Sequence, residues 1–135
     1  MTPSDMARLH AASFILPAPW SEAEIVATLA SPHCFALIRD TGFLLGRVVA
    51  GEAELITIAV DPAARRLGTG RALVQAFLTE AKTRSAEVAF LEVAETNAAA
   101  RALYMSAGFA QTGRRKGYYR GAGLVTDAIL MGRSL

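Results

Sequence analysis

The spacing of apolar residues divides the chain into helical and strand segments. Apolar side chains recur every three or four positions in four segments, which predicts helices, and short apolar runs between turn residues predict strands. The helices are predicted at residues 3–14, 22–31, 69–83 and 97–106, and the strands at 33–39, 43–50, 53–60, 87–93, 109–119 and 124–132. This order predicts an α/β (α+β) fold with a mixed, mostly antiparallel sheet and helices on both faces.

Local signals mark where the helices begin and end. Thr2 followed by Pro3 is typical of a helix start, and the prolines of the segment Pro17-Ala18-Pro19-Trp20 end that helix. Ser21-Glu22-Ala23-Glu24 has the sequence of a capping box and opens the second helix. Gly108 marks the end of the last helix.

The stretch between the third strand and the third helix is the strongest candidate for a binding site. A strand ending at Val60 enters a loop that contains Pro62, and the loop tightens at Gly68 and Gly70, where a helix begins. Backbone N–H groups and the positive end of a helix then point at one place, which predicts an anion site.

Three arginines surround this predicted anion site. Arg65, Arg66 and Arg71 add positive charge that suits a phosphate-rich cofactor better than a single carboxylate. The stretch is not a dinucleotide fingerprint, because Leu73 stands where a third small residue is needed, and no Gly-Lys-Ser/Thr follows for a nucleoside-triphosphate loop. An ordinary Gly-rich turn remains the alternative.

Composition narrows the class of protein. With 135 residues, 53% of them hydrophobic, the chain is predicted to form one globular domain spanning residues 1–135. A net charge of +2 is too small to indicate a nucleic-acid partner. Because no apolar run has the length of a membrane span and no signal peptide is recognisable, we expect no membrane association and a cytoplasmic location.

Cysteine and histidine offer little chemistry in this sequence. Cys34 is the single cysteine and lies in an apolar run, so we expect a buried structural thiol in a reducing compartment. His10 and His33 lack the neighbours of a metal site and are interpreted as ordinary helix-face or loop residues.

Several spaced motifs resemble one family. They are Pro19-Trp20-Ser21-Glu22, Arg65-x-x-Gly68-x-Gly70, Leu91-Glu92-Val93, Asn97 through Tyr104, Gly108-Phe109, Arg114-Arg115-x-x-Tyr118-Tyr119 and Asp127 through Met131. Together they resemble the RimI branch of the GNAT N-acetyltransferase superfamily over residues 2–135. The resemblance implies the GNAT fold, acetyl-CoA as co-substrate, no metal, and transfer of acetyl to the N-terminal alanine amine of a small-subunit ribosomal protein.

One feature departs from that family. Its members usually begin with a strand before the first helix, and here the sequence starts directly at Thr2-Pro3-Ser4. We therefore expect the first edge strand to be missing, which would weaken that sheet edge or alter assembly. We expect a monomer or a weak homodimer.

The resemblance assigns the catalytic roles. Glu92 would act as general base, usually through water, and its position among Leu91, Val93 and Phe90 would strengthen it as a base by desolvation. Tyr104 would be the general acid for the departing thiolate. The alternatives are a glutamate that faces solvent at a strand end and a tyrosine that only fills the core.

The resemblance also assigns the cofactor contacts. Backbone N–H groups of Ile58, Ala59 and Val60 would hold the oxyanion, at the point where that strand splays from its neighbour. The pyrophosphate would be held by the loop residues Arg65, Arg66, Leu67, Gly68, Thr69, Gly70 and Arg71. Asn97 would bind the cofactor arm, although it is equally suited to capping the helix that it precedes.

The acceptor would lie between the second helix and the last hairpin. The candidate substrate-binding residues there are Trp20, Glu22, Glu24, Tyr118, Tyr119 and Asp127. Acidic residues among them suit a peptide with basic residues after its first position. Cross-strand packing of the tyrosines and favourable placement of acids at a helix start remain sufficient structural reasons for these residue types.

Other functions within and outside this family stay open. An enzyme of the same fold could acetylate lysine side chains or small amines such as polyamines. A binding module could sense acetyl-CoA without turnover, but a sensor needs neither the base nor the acid that Glu92 and Tyr104 would supply.

Overall fold

The computed structural model describes residues 1–14, 18–65 and 67–135. The helices are α1 (Pro3–Ser13), α2 (Glu22–Leu29), α3 (Thr69–Thr83) and α4 (Ala98–Ser106), and a short 3₁₀ turn spans Pro62–Ala64. The strands are β1 (Cys34–Arg39), β2 (Gly42–Val49), β3 (Glu52–Val60), β4 (Val88–Ala94), β5 (Ala110–Gly121) and β6 (Leu124–Ser134). Within the described residues they form one sheet in the order β1-β2-β3-β4-β6-β5.

Helices cover the two faces of this sheet, as the sequence predicts. On one face α3 buries Leu73 and Phe77 against sheet residues such as Leu44, Leu55 and Leu91. The other face carries a smaller cluster in which α1 and α2 pack over β1, β2 and β3. The predicted α/β fold with a mostly antiparallel sheet is confirmed, since β3 and β4 form the single parallel pair of the described sheet.

The predicted helix starts are present. Thr2 caps α1 and Ser21 caps α2, each in a complete capping box, and α3 has the predicted bounds. The predicted break at Pro17 lies outside the described residues. The sheet edge is formed by β1, and α1 precedes all strands of the described part of the chain. Cys34 is half-buried rather than buried, because it begins the edge strand β1.

Strand β3 has two irregular features near the candidate site: a bulge in its pairing with β2 and an early end to its pairing with β4. Across the β2–β3 ladder, Leu45 lies opposite Thr57 and Gly46 opposite Leu55, so Ile56 is an extra residue on β3. Such a bulge bends the strand and disrupts the ladder. The pairing of β3 with β4 covers only residues 52–54 with residues 88–90 among the described residues, and beyond it the two strands separate.

Candidate active site

The N-terminus of α3 has the features of an anion site. Its N-cap Gly68 has φ 84°, a left-handed conformation that glycine adopts without strain, and supplies no side chain to cap the helix. The hydroxyl of Thr69 is 2.9 Å from that of Thr41, so it is turned toward the β1–β2 turn. The first N–H groups of α3 have no intrahelical acceptor and are available to a bound anion.

The loop before α3 is fixed at both ends. Asp61 donates its N–H to the Thr41 carbonyl at 2.8 Å, and its Oδ1 accepts from the Ala63 N–H at 2.9 Å. At the other end, α4 lies close to the first turn of α3. A Cβ built on Gly70 would stand only 3.2 Å from Leu103 Cδ2. Strand β3, this loop and α4 therefore converge.

The arginines predicted for this loop differ in what the structure shows. Arg65 and Arg71 are exposed at the end of α3 where its N–H groups emerge, and Leu67 is 77% exposed beside them. Arg66 lies outside the described residues, so its predicted contact with a pyrophosphate stays a prediction.

The C-terminal part of β3 borders the opening in the sheet, which is the region beyond residues 54 and 90 where β3 and β4 no longer pair. Residues 58–60, predicted to supply the oxyanion N–H groups, lie beyond the last pair with β4 and keep β2 as their sheet neighbour in the described structure. From the first helix, the Ser13 hydroxyl donates to the Val60 carbonyl at 3.2 Å. Strand β4 does not pair with this part of the β3 backbone in the described residues.

Glu92 lies at the edge of the same opening. Its side chain is 28% exposed, and one oxygen is 3.3 Å from Arg115 Nη2. Leu91 and Val93 are buried in the α3 core, on the opposite face of β4, because side chains alternate along a strand. The expected desolvation of Glu92 by these two sequence neighbours is therefore wrong; β6 provides its cross-strand neighbour, Leu130.

Two tyrosines of the candidate site have raised pKa values. Tyr104 is 4% exposed, and its ring packs edge to face on Phe109 with centroids 6.1 Å apart. Burial raises the pKa of Tyr104 well above its usual range, and the nearby Tyr119 adds to the effect. Burial, then the negative charge of Glu92, raises the pKa of Tyr119 to about 12. Both hydroxyls hold their protons at neutral pH.

The Tyr104 hydroxyl is at the margin of the core. No buried side-chain N or O atom of the described residues lacks a hydrogen-bond partner. None of the hydrogen bonds within that part of the chain involves the Tyr104 hydroxyl, so this oxygen is not sealed inside the core.

Asn97 caps α4, as the sequence allowed. Its Oδ1 accepts from the Ala100 N–H at 3.2 Å. The amide group on the same side chain can still donate to a ligand, so capping and the predicted contact with a cofactor arm are compatible.

The predicted acceptor residues lie on two separate elements. Trp20 is half-buried just before α2, and Glu22 is exposed at the first position of that helix. Glu24 is tied into the capping box through the Ser21 N–H at 3.2 Å. On β5, Tyr118 is 51% exposed, and its ring meets that of Tyr119 edge to face at 5.2 Å.

Asp127 has structural partners that sequence reasoning missed. Its two oxygens accept from Arg114 Nη1 at 2.7 Å and from the Gly117 N–H at 2.8 Å, which lowers its pKa. Arg114 also pairs with Glu95 at 2.9 Å. These contacts hold a break in the β5–β6 ladder between Arg115 and Tyr119, so Asp127 fixes the backbone that carries the two tyrosines.

Two further observations concern other classes of function. No group of three or more His, Cys, Asp or Glu side chains that could hold a metal is present in residues 1–14, 18–65 and 67–135. None of the helices in the described residues is long and apolar enough to cross a membrane.

Comparison with known proteins identifies the family. The model of the acetyltransferase (GNAT) family matches residues 4–109, so the chain belongs to the GNAT family and is an N-acetyltransferase. The ribosomal protein bS18-alanine N-acetyltransferase of Escherichia coli K12 is 38% identical over 117 residues, 84% of this chain and 79% of that protein. The N-alpha-acetyltransferase RimI of Mycobacterium tuberculosis H37Rv is 40% identical over 136 residues, 94% of this chain and 83% of that protein.

A comparison of folds agrees with the sequence comparison. The crystal structure of the ribosomal-protein-S18-alanine N-acetyltransferase from Escherichia coli superposes with a TM-score of 0.82 at 34% identity, covering 95% of this chain and 84% of that one. The family resemblance drawn from the sequence motifs is confirmed.

Proposed function

We propose that this enzyme uses acetyl-CoA to acetylate the N-terminal amine of a protein, with alanine as the first residue and a ribosomal protein as the natural acceptor. The names of the relatives that are 38% and 40% identical over most of the chain support this acceptor. The observation that carries the chemistry is the opening between β3 and β4, with Glu92 at its edge and the uncapped N-terminus of α3 at its end.

The residues of the opening fit acetyl-CoA. The N–H groups at Gly68, Thr69 and Gly70 would hold the pyrophosphate, aided by Arg65, Arg66 and Arg71, and Asn97 would bind the arm. When bound, acetyl-CoA supplies the acetyl group as a thioester. The N–H groups of residues 58–60 would donate to the oxygen that becomes negatively charged as the amine attacks.

Two side chains would handle the protons. A protonated amine cannot attack, so Glu92, half-exposed beside the opening, would accept a proton from the acceptor ammonium through water. Tyr104 holds its proton at Oη and would donate it to the departing sulfur, consistent with burial raising its pKa. Neither role requires a metal.

The acceptor N-terminus would enter between Trp20 and Glu22 on one side and Tyr118 and Tyr119 on the other. The exposed carboxylate of Glu22 favours a peptide with basic residues after the first position. Asp127 would contribute by fixing the hairpin rather than through its carboxylate, which Arg114 and Gly117 already occupy. A ribosomal acceptor would put the enzyme in the cytoplasm, and we propose that location.

Mass spectrometry of acetyl transfer tests this proposal. The panel contains peptides beginning Ala-Arg, the same peptides with blocked N-termini and free lysines, and small polyamines. We expect acetyl on the free N-termini alone. Transfer mainly to lysine or polyamine would overturn the N-terminal assignment in favour of another acceptor class, and no transfer despite acetyl-CoA binding would indicate a sensor.

A further inference from the structure

His10 is a buried polar side chain that the proposed chemistry does not use. It is 1% exposed, on the face of α1 that packs against the sheet. Its Nδ1 accepts the backbone N–H of Trp20 at 3.1 Å, and its Nε2 is 2.9 Å from Thr57 Oγ1. Because an N–H group can only donate, the Trp20 contact requires an unprotonated Nδ1 and places the proton of the neutral ring on Nε2.

The two partners of His10 belong to opposite sides of the site. Thr57 directly follows the extra residue Ile56 of the β3 bulge, and residues 58–60 continue from it along the opening. Trp20 precedes the cap of α2, where we place the acceptor. The imidazole therefore joins the strand that borders the opening to the segment that would border the acceptor.

The ring is held in this orientation by packing. It stacks on Phe14 with centroids 4.2 Å apart and an interplanar angle of 18°, and Phe43 lies 6.5 Å away. One turn further along α1, Ser13 bonds to the Val60 carbonyl, so the helix contacts β3 at two points three residues apart. With α1 fixed on β3, the His10–Trp20 bond sets where the Trp20 backbone lies.

We propose that His10 is a positioning residue that sets the acceptor-side segment at Trp20 relative to β3. The effect on acceptor binding rests on the proposed function. The two hydrogen bonds of His10 do not depend on it. Loss of the Nδ1 acceptor should weaken acceptor binding and leave acetyl-CoA affinity unchanged, because α3 and its loop make no contact with His10 among the contacts described.

Two substitutions test the hydrogen bonds of the two ring nitrogens separately. In His10→Asn, Oδ1 can occupy the place of Nδ1 and keep the Trp20 bond while the Thr57 bond is lost. In His10→Gln, the longer side chain can reach Thr57 but offers no acceptor at the Nδ1 position. Thr57→Val is the matched control, since it removes the Thr57 bond and leaves His10 and Trp20 together.

The measurements are hydrogen exchange of the Trp20 amide by NMR, KM for an Ala-Arg peptide and Kd for acetyl-CoA. We expect His10→Gln to speed exchange of the Trp20 amide about tenfold and to raise KM about tenfold, because each change reflects the loss of one buried hydrogen bond. His10→Asn and Thr57→Val should stay near the wild type in both. Equal effects of His10→Gln and His10→Asn, or an equal loss of acetyl-CoA affinity, would overturn the proposal.

The amide exchange keeps this test separate from the proposed function. If the wild-type enzyme acetylates no peptide N-terminus, the proposed function fails, and the exchange of the Trp20 amide in the variants still decides the role of His10. If His10→Gln does not fold, Phe14→Leu removes the stacking ring but neither hydrogen-bond partner. It should speed Trp20 exchange, and unchanged exchange would count against the proposal.

Discussion

Glu92, the proposed general base, is partly exposed and paired with a cation. It lies on the open face of β4 with its carboxylate 3.3 Å from the guanidinium of Arg115, whose cation also lies 5.3 Å from the ring centre of Tyr118. The partial exposure of the carboxylate lets water reach it. Burial of its neighbours on the opposite face has no part in this.

Replacing Glu92 by Gln should remove the proposed base while keeping the size and shape of the side chain. We expect kcat to fall by about 100-fold, the lower end of the range for general base catalysis, with Kd for acetyl-CoA unchanged. Kinetics with an Ala-Arg peptide and calorimetric titration of acetyl-CoA measure the two quantities. Glu95→Gln is the control, because Glu95 is a nearby carboxylate paired with Arg114, and it should leave kcat within about twofold. Equal rates for the Glu92 variant and wild type would contradict the assignment.

Replacing Tyr104 by Phe removes one oxygen at the margin of the core. If that hydroxyl donates the proton to the departing sulfur, kcat should fall by about 100-fold while acetyl-CoA affinity is kept. The ring contact with Phe109 remains, so the melting temperature should change by only a few degrees. A normal kcat in a folded variant would mean that Tyr104 serves the core alone.

At the scale of single residues, the sequence could nominate candidate site residues but could not predict what surrounds them. Glu92 and Asn97 could be selected from motifs, but the ion pair between Glu92 and Arg115 joins different strands and depends on the order β4-β6-β5. The partners of Asp127 were missed for the same reason. His10 carried no signal, because its partners Thr57 and Trp20 come from the strand and the segment packed on α1.

Among the elements, α3 differs from α1 and α2 in how it begins. Both α1 and α2 begin with a complete capping box, whereas α3 begins with a left-handed glycine and no side-chain cap. A capping side chain is typically worth about 1 kcal/mol to a helix. Leaving it out keeps the N–H groups available to an anion, which agrees with the role proposed for this loop.

Gly68→Ala tests this element, with Gly51→Ala as a matched control. Both glycines have positive φ, 84° and 81°, and an added Cβ would meet nothing within 4 Å at either site. Each variant should therefore lose about 1–2 kcal/mol of unfolding free energy through backbone strain alone. Only Gly68→Ala should also weaken acetyl-CoA binding, by about tenfold, because the strain displaces the N–H groups at the start of α3.

Urea unfolding and calorimetric titration of acetyl-CoA supply these two quantities. Equal acetyl-CoA affinity in the two variants would mean that the loop does not bind the pyrophosphate. Equal losses of stability would show that the comparison is matched.

Strand β3 shows where prediction of elements from sequence ends. Caps and turn residues gave the helices and strands to within a few residues, and the bounds of α3 agreed with the structure. The bulge at Ile56 could not be predicted, because residues 55–60 are almost all apolar and therefore show no alternation. Leu55 faces the α3 core while Thr57 faces α1, so a simple period of two fails there.

On the scale of the whole molecule, the helices leave part of one sheet face open. Helices α1 and α2 pack over β1, β2 and β3, and Phe90 and Glu92 of β4 remain partly exposed on the side that they do not reach. The sequence predicted helices on both faces, but the uneven cover follows from the order of the strands. The proposed active site therefore lies where the covered and open halves of the sheet meet.

Acid should destabilise the folded chain through His10. Burial lowers the pKa of His10 from 6.5 to about 4, against the opposing charge of Glu24. Between these two values the unfolded chain binds a proton that the native chain does not, so the free energy of unfolding falls as the pH is lowered from 6.5 toward 4. The loss should amount to about 3 kcal/mol.

The comparison with His10→Asn isolates this contribution. Asp5, whose pKa is lowered to about 2, and Asp127, whose pKa is also lowered, keep their charges in both proteins. Each adds stability that is present above its unfolded pKa of 3.8 and is lost in stronger acid. Urea unfolding followed by circular dichroism at pH 7, 6, 5 and 4.5 should give curves that converge as the pH falls, because the wild type alone loses the His10 contribution. Parallel curves would show that His10 is protonated as readily in the native chain as in the unfolded one, and would remove the case for a neutral imidazole that accepts the Trp20 N–H.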